Sequence, residues 1–96
     1  MVVGVLRLEL ALHDTSSLKE KRSVVRKILG RCRNRFPVSC GETGLQDYKQ
    51  SSQLGFSIVV GSDAAAHRVF ERIEEEIESI GMADIVDRFV EFLHYS

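Results

Sequence analysis

Ninety-six residues with 44% apolar content form one domain, residues 1–96, with room for a modest core, and this composition excludes a disordered chain. Two cysteines, Cys32 and Cys40, are too few for a disulfide scaffold and read as small buried hydrophobes of a reduced, cytoplasmic protein. The longest apolar run falls far short of the roughly 20 residues that cross a bilayer, so no membrane partner is expected.

The start of the chain, Val2 to Leu12, alternates. Leu6, Leu8, Leu10 and Leu12 share one face, and Val3, Val5, Arg7, Glu9 and Ala11 share the other. That is the pattern of a half-buried strand and not of a signal peptide. His13-Asp14-Thr15 then leads into a helix predicted from about Leu18 to Arg35. Ser17 and Glu20 have the spacing of a capping box, and Leu18, Val25, Leu29, Cys32 and Phe36 recur on one helical face. Pro37 ends the helix, because the residue before a proline avoids the helical region. Val38, Cys40 and Glu42 read as a short second strand. Gly41 to Gly44 and the polar run Gln46 to Gln53 read as turn or loop, and Leu54, Phe56, Ile58 and Val60 as a third strand.

Asp63 is the expected N-cap of a second helix, about Ala64 to Ile80. Ala66, Val69, Phe70, Ile73, Ile77 and Ile80 form its apolar stripe, and Gly81 its stop. A last strand runs from Ile85 to Tyr95. Val86, Val90 and Phe92 fall on one side and Phe89, Leu93 and Tyr95 on the other, so periodicity does not choose its inner face.

The order β-α-β-β-α-β, with one apolar stripe per helix, gives an α+β fold. It is a ferredoxin-like sandwich of a four-stranded antiparallel sheet, strand order 4-1-3-2, with two helices on one face. This topology gathers the loop His13–Ser17, the start of the first helix and the turn after Glu42 at one end. Asp63, His67 and His94 fall at the other.

The run Ser17-Leu18-Lys19-Glu20-Lys21-Arg22-Ser23-Val24, then Asn34-Arg35-Phe36-Pro37-Val38-Ser39 and Glu42, resembles the YlxP-like family of small bacterial proteins of unknown function. Leu54-Gly55-Phe56 and Val60-Gly61-Ser62-Asp63 are similar to it as well, so the resemblance spans nearly the whole chain. The sequence departs from the family pattern at Pro37, where Asn is expected, and at Tyr48, near an expected Trp. The resemblance implies a ferredoxin-like fold, a bacterial cytoplasmic setting and an association with translation genes. It implies no activity.

The residues themselves argue against several chemistries of this fold. Clustered cysteines for iron–sulfur are missing, and the loop after the first strand has no glycine to cradle an acyl phosphate. The three histidines lack second ligands at metal-site spacing, so neither a metal nor a cofactor is expected. Ser16 and Ser17 read as caps and Glu42 as an ion-pair partner of Lys19 or Arg22. Phe56 reads as core and not as a base-stacking platform of the RRM type. The chain is therefore expected not to be an enzyme.

The charge is divided unevenly. Residues 1–48 hold nine Lys/Arg against five Asp/Glu, residues 49–96 hold four against nine, and eight of the 13 basic residues fall between Lys19 and Arg35. Bases in the first turns of a helix oppose its dipole, which points to selection for a partner. Lys19, Arg22, Arg26 and Arg33 form one stripe. Lys27 and Arg31 lie on the other flank, and Arg35 borders the core. One flank is expected to meet the acidic second helix, with Glu71, Glu74, Glu75, Glu76 and Glu78, leaving the other for solvent. The expected role is binding of structured RNA or the ribosome, with Lys19, Lys21, Arg22, Arg26 and Arg33 on phosphates and backbone N–H groups at the helix start adding to the site. The alternative is a homo-oligomer, such as a homodimer, or a protein-interaction module that uses the open sheet face at Val3 and Val5.

Overall fold

Strand β1 (Val2–Leu12) lies at the centre of a four-stranded antiparallel sheet in a computed structural model that describes all 96 residues. Its neighbours are β3 (Ser51–Val60) and β4 (Ala83–His94), and β2 (Ser39–Gly44) completes the order β2-β3-β1-β4. Helices α1 (Leu18–Arg35) and α2 (Asp63–Ile80) cover one face. The alternation of β1 survives intact: Leu6, Leu8 and Leu10 are fully buried beneath the helices, and Arg7 faces water.

Each helix is positioned by its apolar stripe. Val25, Ile28, Leu29 and Cys32 of α1 and Ala66, Phe70, Ile73 and Ile77 of α2 meet the leucines of β1 and Leu54, Phe56 and Ile58 of β3. Phe56 is core, as its place in the alternation requires. Gly4 lets α2 settle close to the sheet. A Cβ there would lie 3.1 Å from both Ala66 Cβ and Phe70 Cζ, tighter than ordinary packing. Gly81 stops α2 in the left-handed region at φ 74°, where a side chain would be strained.

Several boundaries differ from the sequence reading. Strand β2 runs on through Gly41, Glu42 and Gly44, which pair with Gly55, Leu54 and Gln53 and are ladder, not turn. Strand β3 begins at Ser51, so Ser51–Gln53 are ladder and not loop; they pair with Glu9, Leu10 and Ala11, a partnership that polar residues do not advertise. The N-cap of α2 is Ser62, whose Oγ accepts from Ala65 N, while Asp63 opens the helix. In β4 a register shift opposite Glu9 and Leu10 leaves Val86 exposed. Beyond it Val90 and Phe92 turn toward the helices, and Phe89 and Leu93 toward the open face.

Candidate nucleic-acid interface

The first turn of α1 is built from serines and one acid. Ser17 Oγ accepts from Glu20 N at 3.1 Å. The Glu20 carboxylate closes the reciprocal contact one residue earlier than a standard box, accepting from Ser16 Oγ at 2.8 Å and Ser16 N at 3.4 Å. These hydrogen bonds from Ser16 hold the Glu20 carboxyl below its ordinary range. They also place a carboxylate beside the start of the helix, where its charge opposes binding of an anion to the backbone N–H groups.

Around α1 the cations separate into three sectors. Lys19, Arg22, Arg26 and Lys27 are exposed, and none joins any of the molecule's six ion pairs. Arg33 is exposed too, and its Nη2 donates to Cys40 O of β2 at 2.7 Å, which ties the end of the stripe to the sheet edge. On the side facing α2, Arg31 and Arg35 both meet Glu76, each at 3.1 Å. One flank is therefore partly neutralised by the acidic helix, and the opposite flank carries its charge into solvent.

Lys21 belongs to neither flank, which corrects its place among the phosphate-binding residues. It is 1% exposed, at the centre of the face that α1 buries. Its Nζ donates to Leu45 O at 2.5 Å and Gln46 O at 3.1 Å, and lies 3.2 Å from Glu42 Oε2. Ser52 Oγ, also buried, donates to the same Glu42 oxygen at 2.6 Å. A buried ammonium needs this full set of acceptors. The Glu42 carboxylate thus pairs with Lys21, not with Lys19 or Arg22. The signal was present in the spacing: Lys21 follows Leu18 by three and precedes Val25 by four, the spacing of an inward position.

The same end holds the loop Leu45–Gln50. Tyr48 N donates to Leu45 O at 3.1 Å, Thr15 Oγ1 to Lys49 O at 2.7 Å and Leu12 N to Gln50 O at 2.8 Å. Beside it, His13 Nε2 lies 2.9 Å from Asp84 Oδ2. The Asp84 carboxylate, first by hydrogen bond and then by charge, raises the His13 pKa above its ordinary value. At the opposite end His94 meets Asp63 at 2.7 Å. No group of three or more His, Cys, Asp or Glu side chains is arranged to hold a metal ion. Cys32 is buried, and that burial pushes its thiol up to about 11, while Cys40 is half-buried; both are free. No helix is long and apolar enough to cross a membrane.

Comparison with known proteins places the chain. The family described as protein of unknown function DUF503 matches residues 3–89. The uncharacterized protein YlxP of Bacillus subtilis (strain 168) is 36% identical over 78 residues, covering 81% of this chain and 85% of that one. Among solved structures, a de novo designed protein with a ferredoxin fold superposes with a TM-score of 0.60 at 17% identity, over 95% of this chain and 86% of its own. The structural-genomics protein YJCS superposes at 0.58 with 9% identity, over 93% and 96%. These two likenesses establish the ferredoxin-like fold.

Proposed function

For this chain, which belongs to the DUF503 family of proteins of unknown function, we propose non-catalytic binding of structured RNA, with the ribosome as the favoured source, through the outer flank of α1. The observation that carries the reading is the asymmetry of that helix. Arg31 and Arg35 are matched by Glu76, while Lys19, Arg22 and Arg26, spaced three and four apart, project from one exposed stripe with no acid opposite them. Such a row fits a phosphate backbone, and Arg33 extends it by another two turns. Lys27, four residues before Arg31, is exposed on the other flank. Exposed cations near a helix N-terminus cost stability, so a row of them is better explained by a partner than by the fold. RNA binding measured against salt, with charge reversal at Arg22 and at Arg31, tests the reading.

A second reading concerns the uncovered sheet face. Val3, Val5, Val59, Phe89 and Leu93 lie on it, and Val59 is 65% exposed. Arg7 stacks on the Phe89 ring at 4.7 Å and has no carboxylate partner, while Asp87 and Glu91 on the adjacent strand are exposed and unpaired. A face with both an unpaired cation and unpaired anions around an apolar centre is suited to a second copy of itself across a two-fold axis. Sedimentation equilibrium of the full chain tests this homodimer.

A further inference from the structure

The loop Leu45–Gln50 is six residues long and exposed from Gln46 onward, yet it is tied down at four of its carbonyls. Leu45 adopts φ 60°, a left-handed turn conformation that costs a non-glycine residue energy. Leu45 O closes the turn by accepting from Tyr48 N, and that same oxygen accepts from the buried Lys21 ammonium. Gln46 O takes a second proton of Lys21, Lys49 O takes the Thr15 hydroxyl and Gln50 O takes Leu12 N. Thr15 is itself buried, at 3% exposure. The product of all this fixing is an exposed aromatic: Tyr48 is 61% exposed. It stands on the rim of a cleft of about 490 Å³ between Thr15 and Ser16 on one side and Asp47, Lys49 and Gln50 on the other.

From this geometry we infer that the cleft beside Tyr48 is a subsite for one unpaired nucleobase, next to the phosphate track on α1; this rests on the reading of α1 given above. Every nucleobase has a π-face, and stacking on an exposed aromatic is the general way of holding one. A ring held on a pre-set loop loses little freedom when a base lands on it. The polar groups around the ring match a base rim: Asp47 accepts, Gln50 both donates and accepts, and Lys49 supplies a cation for the flanking phosphate. The cleft lies beside Ser16, one residue before the N-cap of α1, so a strand whose phosphates follow Lys19, Arg22 and Arg26 reaches it at the start of the helix. The ligand class is accordingly RNA with an unpaired nucleotide, in a loop, bulge or single strand, and not continuous duplex.

The chain holds two tyrosines and no tryptophan, which makes each ring separately observable. In a full-length Tyr95→Phe variant, emission comes from Tyr48 alone; in Tyr48→Phe it comes from Tyr95 alone and reports absorption by added RNA. A single-stranded 12-mer RNA and a 12-base-pair duplex RNA are titrated into both at low salt, with anisotropy of a labelled RNA read in parallel. The expected result is quenching of Tyr48 by the single strand beyond the Tyr95 control, saturating with the anisotropy signal, and little quenching by the duplex. Tyr48→Ala should weaken single-strand binding about tenfold and Tyr48→Phe should not, since stacking needs only the ring. Binding by anisotropy without Tyr48 quenching, equal quenching by duplex, or an unaffected Tyr48→Ala variant would overturn the subsite and leave the phosphate track standing. No binding of either RNA at low salt would overturn the phosphate track and the subsite together.

Discussion

Arg22 and Arg31 stand on opposite sides of α1. Nine residues separate them, and at 3.6 residues per turn that is about half a turn of rotation. Arg31 Nη1 lies 3.1 Å from Glu76 Oε1, against α2, whereas Arg22 is exposed and without an acidic partner. One helix thus carries a structural face and a free face of the same charge, and the two can be changed independently.

The largest stability effect is expected at Lys21. Its ammonium is held by Glu42 and two carbonyls, and removing it leaves the largely buried Glu42 carboxylate without its counter-charge, with the Ser52 hydroxyl as its remaining donor. Loss of one side of a buried ion pair costs about 3–5 kcal/mol. Lys21→Ala should therefore lower the stability read by urea unfolding by that amount, while Arg22→Ala, at the next residue but on the solvent side, should stay within about 0.5 kcal/mol of wild type. Similar values for the two variants would contradict the assignment of Lys21 to the interior.

The contrast between Lys21 and Arg22 also marks how far the sequence could be read. Periods of two and of three to four placed the strands and helices, because each element buries one face and exposes the other. That logic found Leu6, Leu8 and Leu10, Phe56, and the stripe of α2. It misassigned Lys21 because residue type was allowed to outweigh position: Leu18 and Val25 bracket an inward site, but a lysine goes there only if acceptors await it. Those acceptors, Glu42, Leu45 O and Gln46 O, come from 21 to 25 residues later, and two are backbone atoms that no side-chain pattern reveals. The ladder of Ser51–Gln53 was hidden for a related reason. Backbone pairing with β1 holds it, without apolar alternation. The free stripe on α1 was legible, since it follows from periodicity alone. Which flank α2 would neutralise required the packed helices.

Glu76 is expected to matter more than its neighbours on α2. Its carboxylate meets both Arg31 and Arg35, and its side chain is 12% exposed. Each arginine is substantially in solvent, so the pairs are worth little individually. Glu76→Gln should lower stability by about 1 kcal/mol, and the exposed Glu75→Gln by less than half of that, in the same urea measurement. Because Arg31 and Arg35 would then be unmatched, Glu76→Gln should also strengthen RNA binding at low salt.

Stability should depend on pH through His13. Asp84 raises the His13 pKa above 6.5 in the folded protein, so the folded state binds this proton more tightly than the unfolded state. The stabilisation is fully present below pH 6.5 and is lost as pH rises through the raised value. Melting temperatures of wild type should fall across that window, and Asp84→Asn should flatten the dependence. A wild-type profile that rises there would contradict the pairing. Glu20 acts in the opposite sense at lower pH. Its carboxyl is held below 4.5 first by the Ser16 hydroxyl and then by the Ser16 backbone N–H, so its stabilisation is present above that value and is lost as pH falls through the depressed one; Ser16→Ala should reduce it.

The sheet-face dimer has its own test. Val5 sits between Ser57 and Glu91 on the uncovered face, so Val5→Asp adds a charge there without touching the core beneath the helices. Wild type should dimerise at tens of micromolar, about 6–7 kcal/mol of association, and Val5→Asp should be monomeric at the same concentration. A monomeric wild type in sedimentation equilibrium would remove this reading and leave the α1 surface untouched.

The measurement that bears most directly on the central claim is the salt dependence of RNA binding by Arg22→Glu and Arg31→Glu, each first shown to be folded by its melting curve. If Lys19, Arg22 and Arg26 each neutralise one phosphate, log affinity of wild type should fall linearly with log salt with a slope of about two to three. Arg22→Glu should weaken binding about equally across RNA sequences and reduce that slope by about one or more, because phosphate contacts position a protein without reading bases. Arg31→Glu, on the flank already engaged by Glu76, should leave the slope near the wild-type value. Equal losses of affinity and slope from the two reversals, or no RNA binding by wild type at low salt, would contradict a phosphate-binding track on the free flank of α1.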